Sequence, residues 1–377
     1  MGTFGRGIYV LDDYSPLRTQ DKALAKPAHL FDMKKAWLYV EGDRFGGGSK
    51  GNRGVSLWQT PNPPFGAVFT YHLQETLVSR KAARLKRESV RRNARQDNPY
   101  PSWEQLKEEG REEAPQLFLT IYDADGRVVR RLSGPTKAGL HRVAWDLRYP
   151  ATDPIDLSSK GFRPPWWQAP RGPMVLPGVY SVTLSQRVDG ETRVLAGPQR
   201  FEVAALDQKS PLVTSNRKAL LSFQQRVAEL YRAVTGAAKS LQEMEQRIAH
   251  LKKAIERTPG VGDGLLHRLR KIETQLQDLK VVLSGDQTRQ KYNEPSPWSI
   301  ERRVGRIVYG SWSTQTAPTG THQQVYKDAA GQFDQVLTAL KKNDRYLDAV
   351  EDEVEAAMGP WTPGRLPEWK KEATGSP

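Results

Sequence analysis

The sequence contains no cysteine, no long apolar run and no leader-like first segment. The absence of cysteine in 377 residues excludes disulfides, thiolate metal sites, cysteine nucleophiles and iron–sulfur clusters. Because no run of about 18 apolar residues occurs, the sequence predicts no transmembrane helix. The opening MGTFGRGIYVLDD has no basic stretch followed by an apolar one, so it is not a signal peptide.

Apolar content is low at 37%, and the 26 Pro and 31 Gly predict long irregular connections between folded parts. The 10 Trp and 13 Tyr argue against global disorder. At about 150 residues per domain, the length predicts two to three domains. The formal net charge is +14, and a basic surface can recruit nucleic acid, anionic lipid or acidic glycans.

Residues 63–205 carry the clearest strand patterns. Apolar and polar residues alternate there with period two, and one face of the first complete run carries Leu117, Leu119 and Ile121. Asp125-Gly126 and Asp189-Gly190 each separate two such runs, which predicts tight primed hairpin turns. Short strands with regular turn signals indicate a small antiparallel sandwich.

A charged segment interrupts these strands at about 78–114. Its basic half contains eight Lys or Arg and one acid, and an acidic half follows. This pattern predicts a solvated helical hairpin held partly by charge pairs. The alternative is an arm that contacts an anionic surface or phosphates, but nucleic acid is disfavoured because no aromatics interleave with the cations. The cations of that arm are Arg80, Lys81, Arg84, Lys86, Arg87, Arg91, Arg92 and Arg95.

From about residue 215 apolar residues recur every three or four positions instead of every two. A heptad seam runs from Leu220 to Ile255, and three further amphipathic helices follow up to Val354. Four such helices predict an antiparallel bundle over 206–358, and their faces offer a route to homo- or hetero-oligomers. Thr321 with Gln324 predicts a capping box at the start of the last helix.

The segment after the last helix is rich in proline. Gly359-Pro360 is expected to stop that helix, and 359–377 then form a Pro/Trp tail. Trp361 and Trp369 are candidate anchors of this tail. Asn343, at a seam position, is predicted to be a tolerated polar site, with control of helix register as the alternative.

Residues that could carry chemistry do not form a recognisable centre. The six His are scattered without metal-ligand spacing, and no GxSxG elbow occurs. The glycine-rich GDRFGGGSKGNRG departs from a P-loop because Gly follows Lys50. Asp123, Asp125 and Asp146 are better explained by turns and strand ends than by a carboxylate pair or calcium. The sequence therefore predicts no catalytic residue, no metal site and no cofactor.

The paired tryptophans Trp166 and Trp167 form a candidate ligand platform. With Arg163 and Arg171 beside them, they could stack against a sugar ring or a peptide. The other interpretation, which we favour, is a Pro-rich loop that uses its Trp residues to pin itself to the sandwich.

Several motifs, in order along the chain, resemble one family. GTFGRGIYVLDD followed by Tyr14–Arg18 is similar to the closing propeller strand of bacterial sortilin-like, Asp-box (neuraminidase-repeat) proteins, although Phe4 stands where that family usually has His. NPPFGAVFTYHL, IYDADGRVVRRL, PTKAGLHRVAWDLRYP and LPGVYSVTL resemble the module after that propeller, which is itself similar to the immunoglobulin-like fold of the flagellar hook-cap protein. PWTPGRLPEW resembles the family's ending after its helical region.

The resemblance implies the C-terminal part of a larger exported protein, located in the periplasm, on the outer surface or outside the cell. A truncated N-terminus would then explain the missing signal peptide, and the preceding propeller would be a partner. Such proteins are often named glycosyl hydrolases, but their catalytic residues belong to the propeller. No Asp-box is visible here, so no catalytic residue is carried over, and this chain is not expected to be an enzyme by itself.

These observations together predict a multidomain β + α protein. An isolated strand leaves its backbone groups unpaired, so residues 1–18 are interpreted as a remnant propeller strand. An irregular linker (19–62), an antiparallel immunoglobulin-like β-sandwich (63–205) and an antiparallel helical bundle (206–358) follow. The favoured function is non-catalytic support and protein–protein assembly. The alternatives are an accessory carbohydrate-binding region with a glycan ligand and contact with an anionic surface.

Overall fold

The computed structural model describes residues 2–3, 7–8, 11, 13–41, 63–157, 162, 169–206, 213–367 and 369. The chain divides into two compact units. The first contains Met1–Pro150 and Pro173–Val213, and the second contains Ala151–Gly172 and Thr214–Pro377. The protein thus combines β-sheets in one unit with helices in the other.

The first unit is built mainly from strands. Its strands are β1 Gly2–Thr3, β2 Gly7–Ile8, β3 Ala28–Leu30, β4 Ala36–Leu38, β5 Ala67–Leu73, β6 Gln116–Tyr122, β7 Val128–Gly134, β8 Gly139–Trp145, β9 Gly178–Val188 and β10 Glu191–Ala205. Its helices are α1 Ser15–Arg18, α2 Gln20–Leu24, α3 Arg80–Asn93 and α4 Trp103–Arg111.

Two sheets account for most of these strands. One has the order β4-β10-β9-β6-β7 and the other β3-β5-β8. All neighbours in both sheets are antiparallel except β4, which runs parallel to β10. The antiparallel pairing expected from the hairpin signals is therefore confirmed for the long strands.

Both sheets contribute to one apolar cluster. Leu117, Leu119 and Ile121 of β6 are buried in it, which confirms their predicted common face. Trp145 of β8 is fully buried in it, and its indole Nε1 donates a 3.0 Å hydrogen bond to the carbonyl oxygen of Arg148. Period-two burial on strands of both sheets is thus the reason that this unit holds together.

The two Asp-Gly turns differ. At Asp189-Gly190 both residues have positive φ and Val188 pairs with Glu191, so the predicted tight primed turn is confirmed. The prediction is wrong at Asp125-Gly126, where only the glycine has positive φ and the loop is longer. The reason is Asp123, whose Oδ1 accepts the backbone N–H groups of residues 125 and 127 and stabilises a wider turn.

The N-terminal segments take part in sheets more than expected. The linker predicted over 19–62 contains two short strands, since β3 pairs with β5 and β4 pairs with β10. The sequence predicts at most one strand in this stretch, within AHLFDMKKAWLYV, because strands of three residues carry little periodic signal. The strand predicted around Ile8 is also not isolated, since β2 pairs with β1 of the same chain. The glycine-rich segment lies outside the described residues.

The second unit is helical. Its helices are α5 Arg217–Glu256, α6 Asp263–Ser284, α7 Gln287–Lys291, α8 Ile300–Trp312 and α9 Gly320–Ala356. The four longer helices share one apolar cluster that contains the predicted heptad seam of α5 from Phe223 to Ile255. Within the described part of the chain, no helix combines the length and apolar content needed to cross a membrane.

Of the two predictions for the ends of α9, the one for its start is wrong and the one for its end is confirmed. The helix begins at Gly320, and its N-cap is Thr319, whose Oγ1 accepts the N–H of His322 at 3.1 Å. The predicted capping box at Thr321 is therefore wrong, because a Thr two residues earlier already caps the helix. The helix ends before Gly359, as expected.

The predicted polar site at Asn343 lies inside the helical unit. Asn343 is buried, and its Nδ2 donates to the carbonyl oxygen of Ala339 at 2.9 Å, so a local backbone contact accommodates it.

The prediction that the tail anchors through Trp361 and Trp369 is wrong, since both indoles are exposed. Buried Thr362 and the contacts of Arg365 with Glu351 O and Glu355 hold the tail instead.

Candidate interaction surfaces

The charged segment forms two capped helices, α3 and α4. Ser79 caps α3 by accepting the N–H of Ala82 at 3.2 Å, and Ser102 with Gln105 forms a capping box at α4. Neither helix contains a buried residue. The high density of charge explains this, because an unpaired charge is costly to remove from water.

Ion pairs hold the base of this α3–α4 hairpin. Arg84 forms a bidentate pair with Glu109, with its Nε 2.7 Å from Oε1 and its Nη2 2.8 Å from Oε2. These hydrogen bonds keep the pKa of Glu109 below its ordinary value. The backbone N–H of Arg80 donates to both carboxylate oxygens of Glu112, and its side chain reaches Asp189 at 3.3 Å. The predicted charge pairs are therefore present.

The remaining cations of the arm have no such partners. They are exposed, and none lies within 4.0 Å of a carboxylate of another described residue. These six, which we call the free cations of the hairpin, are Lys81, Lys86, Arg87, Arg91, Arg92 and Arg95. The acids of α4 thus neutralise the base of the hairpin and leave its far end basic.

Apolar side chains are exposed on the same hairpin. Leu85 is 48% exposed and Val90 62%, while Tyr100 and Trp103 are 79% and 74% exposed. The rings of Tyr100 and Trp103 meet edge to face with centroids 6.4 Å apart. The sequence interpretation missed these aromatics because they follow the basic run instead of interrupting it. The signal was present in the segment YPSW.

The paired-tryptophan platform is only partly described. Arg163, Trp166 and Trp167 lie outside the described residues. Arg171 is described, and it lines a cavity of about 280 Å³ together with Tyr231, Tyr309 and Trp312. A cation beside several aromatic side chains can stack with a ring and pair with an anionic substituent.

Tyr231 is fixed at this cavity by a polar contact. Its hydroxyl donates to Oδ1 of Asp153 at 3.2 Å. Burial, followed by the nearby Asp153 charge, raises the pKa of the Tyr231 phenol to about 12. The phenol therefore remains neutral and keeps its proton at physiological pH.

A second aromatic pair lies on the connection between α7 and α8. Tyr292 is 68% exposed and Trp298 45% exposed. Lys291 lies 6.0 Å from the ring centre of Tyr292, and Arg302 lies 4.7 Å from that of Trp298. The backbone here is held by Arg303, whose Nε donates to the carbonyl oxygen of Trp298 at 2.9 Å. The connection thus presents two exposed aromatic rings on a fixed backbone.

The candidate acids occupy structural positions. Asp123 and Asp125 lie in the β6–β7 turn, and Asp146 follows the last residue of β8 and accepts the N–H of Arg148 at 3.3 Å. The predicted turn and strand-end roles are confirmed. Within the described residues, no three His, Cys, Asp or Glu side chains are arranged so that they could hold a metal ion.

Two of the histidines meet, which their spacing in the sequence did not suggest. β3 and β5 place His29 directly opposite His72. His72 is buried and its Nδ1 has no hydrogen-bond partner, while burial, followed by the charge of Lys26, lowers the pKa of His29. Only the strand pairing could reveal this contact.

Comparison of the chain with family models, with curated proteins and with solved structures finds no match.

Proposed function

We propose that this chain is the C-terminal structural and interaction region of a larger exported protein of the sortilin-like, Asp-box propeller type. In this proposal the first unit is an immunoglobulin-like β-sandwich and the second an antiparallel helical bundle. Together they support the propeller and mediate protein–protein assembly, and they carry no catalysis themselves.

Two features support the proposed folds. The five-stranded and three-stranded sheets share one apolar cluster, as the two layers of a sandwich do. The four longer helices of the second unit likewise share a single core. The motifs on which the family resemblance depends include β5, β8, the last two residues of β6, most of β7 and the first residues of β9.

The main support for a role in assembly comes from the residues exposed at the α7–α8 connection. Tyr, Trp and Arg are the residues that most often dominate binding energy at protein interfaces. Tyr292, Trp298 and Arg302 are exposed or partly exposed there on a backbone that hydrogen bonds hold in place. A surface that is already ordered loses less conformational entropy on binding, so it is suited to a partner.

The first experiment is to read the sequence encoded immediately upstream in the source genome. Propeller repeats behind a signal peptide are expected. An unrelated gene with its own stop codon there would overturn the assignment to a larger propeller protein.

The second experiment measures assembly by sedimentation velocity, with the purified chain alone and mixed with the upstream propeller. A complex is expected, and Y292A/W298A should weaken it by roughly tenfold or more, since hot-spot truncations cost about 2 kcal/mol. The matched control is Y346A/W369A, which removes one exposed Tyr and one exposed Trp elsewhere on the same unit. A chain that stays monomeric in both samples, or equal effects of the two double variants, would contradict the proposal.

A second candidate function, accessory carbohydrate binding, is favoured by the cavity at Arg171. Calorimetry with sialylated glycans should give a measurable heat that R171A removes, because the guanidinium would pair with the sugar carboxylate. W166A tests the platform in the same assay, and W361A is the control. Heats that no variant changes would remove this candidate.

A further inference from the structure

We infer that the far end of the α3–α4 hairpin, residues 85–103, docks onto an anionic lipid surface. This inference is independent of assembly through the α7–α8 connection, because it concerns the other compact unit. It depends on three observations: the free cations, the exposed apolar side chains beside them, and the ion pairs that hold the hairpin together.

The charge of the hairpin is divided along its length. At its base, Arg80 and Arg84 are paired with Glu108, Glu109 and Asp189. Of the free cations, Lys86, Arg87, Arg91, Arg92 and Arg95 all lie at the far end. Clusters of four to eight Lys or Arg are typical of segments that bind anionic headgroups. The far end therefore has the charge of such a segment, while the base is neutralised.

The loop after α3 brings aromatic side chains to the same end. Nδ2 of Asn98 donates to the carbonyl oxygen of Glu88 at 2.9 Å, so the loop returns along the last turns of α3. Tyr100 and Trp103 follow directly and are exposed. Trp and Tyr prefer the headgroup level of a bilayer, because one part of each ring system is apolar and the other is polar.

Exposed aliphatic residues favour lipid over nucleic acid. Leu85 and Val90 on α3 are among the exposed large apolar residues of the chain. Single-stranded nucleic acid offers stacking faces for aromatic rings and phosphates for cations, but it provides no apolar phase for a leucine or valine. An anionic bilayer offers charged headgroups for the cations and an apolar phase for the aliphatic side chains. Amphipathic helices bury such side chains at the headgroup–acyl boundary.

The test uses the full chain and vesicle co-sedimentation. Vesicles of phosphatidylcholine alone are compared with vesicles that contain about 30% phosphatidylglycerol. Binding is expected only with the anionic vesicles, and it should fall between about 50 mM and about 300 mM NaCl as screening increases. Equal binding to both vesicles, or no binding to either, would overturn the inference.

Two matched variants test the cations. R87Q/R91Q/R92Q/R95Q should reduce partitioning strongly, since each cation near an anionic surface contributes about fivefold. The control, K218Q/K271Q/K341Q/R345Q, removes the same number of exposed charges from the helical unit and should leave binding nearly unchanged. Equal losses in the two variants would show that only the net charge matters and would contradict docking by the hairpin.

A third variant separates lipid from nucleic acid. V90S/W103S should lower binding to anionic vesicles while it preserves the free cations. The same proteins are titrated with a fluorescent single-stranded oligonucleotide of about 20 nucleotides. Tight oligonucleotide binding that R87Q/R91Q/R92Q/R95Q abolishes, with no vesicle binding, would replace lipid by nucleic acid as the ligand.

Discussion

The α3–α4 hairpin and the α5–α9 helix pair use arginine–carboxylate contacts in different surroundings. In the hairpin, Arg84 pairs with Glu109, but neither helix buries a residue. In the other pair, Arg247 of α5 contacts Asp344, Asp348 and Glu351 of α9. Those contacts lie beside a seam of buried apolar residues that both helices share.

The difference shows what each kind of contact contributes. Apolar burial stabilises the α5–α9 pair, and Arg247 then adds specific polar partners along the seam. Its hydrogen bond to Glu351 is the main cause of the raised pKa of Arg247.

The hairpin has no such seam, so ion pairs and helix caps must keep it ordered. Arg84 and Glu109 are partly buried where they meet. The pairs that Arg80 forms with Glu108 and Asp189, however, are exposed and weak individually. We therefore expect the hairpin to open without global unfolding.

The largest effect is expected from the apolar seam. Leu347 of α9 is fully buried, and Leu347→Ala should lower the free energy of unfolding by about 2–5 kcal/mol through lost burial and the cavity left behind. Leu85→Ala on α3 is the matched control and should stay within about 0.5 kcal/mol. Chemical denaturation followed by circular dichroism measures both. Similar losses would contradict the contrast between the two helix pairs.

A smaller effect is expected from Arg247→Met. This change leaves the buried carboxylate of Glu351 without its cation, which should cost about 1–3 kcal/mol in the same denaturation experiment. Arg268→Met removes an exposed pair with Glu353 and should cost no more than about 1 kcal/mol. Equal decreases in the free energy of unfolding of the two variants would contradict the idea that burial of the Glu351 carboxylate makes its contact with Arg247 more important.

A local effect is expected from Glu109→Gln. Loss of the bidentate contact with Arg84 should speed amide hydrogen exchange of residues 80–111 several-fold, because local opening becomes easier. Exchange in α5 and α9 should not change. Lys81→Gln, which removes a free cation, is the control and should leave the hairpin as protected as before. Uniform acceleration across the chain would show that the hairpin is not a separate unit of opening.

The smallest effect is a pH dependence of the same hairpin. The pKa of Glu109 is lowered from its ordinary value of 4.5, so the folded hairpin binds that proton less readily than the unfolded one. Its contribution is complete above the ordinary pKa and is lost as pH falls through the lowered value. Exchange protection of 80–111 should therefore decrease as the pH falls below the ordinary pKa of 4.5, and Glu109→Gln should weaken that dependence. Protection independent of pH would contradict the role of this pair.

The candidate surfaces could be predicted only in part. The run of cations from Arg80 to Arg95 and the caps of the hairpin depend on neighbouring residues, so their existence follows from the sequence. The sequence does not show which of these cations remain free, since that depends on where α4 places Glu108 and Glu109. The meeting of Arg171 with Tyr231 and Trp312 likewise requires the folded helical unit.

Local sequence patterns predict the longest strands and helices of this protein. The alternation of apolar and polar residues predicts β6, and the heptad repeat of apolar residues predicts α5. Both patterns can be read from the sequence because each repeats over only a few residues. Three contacts become visible only in the folded chain: β4 pairs in parallel with β10, His29 faces His72, and Arg247 reaches Glu351 across 104 residues. These contacts join distant segments, and short strands and single polar residues carry no periodic signal that could predict their partners.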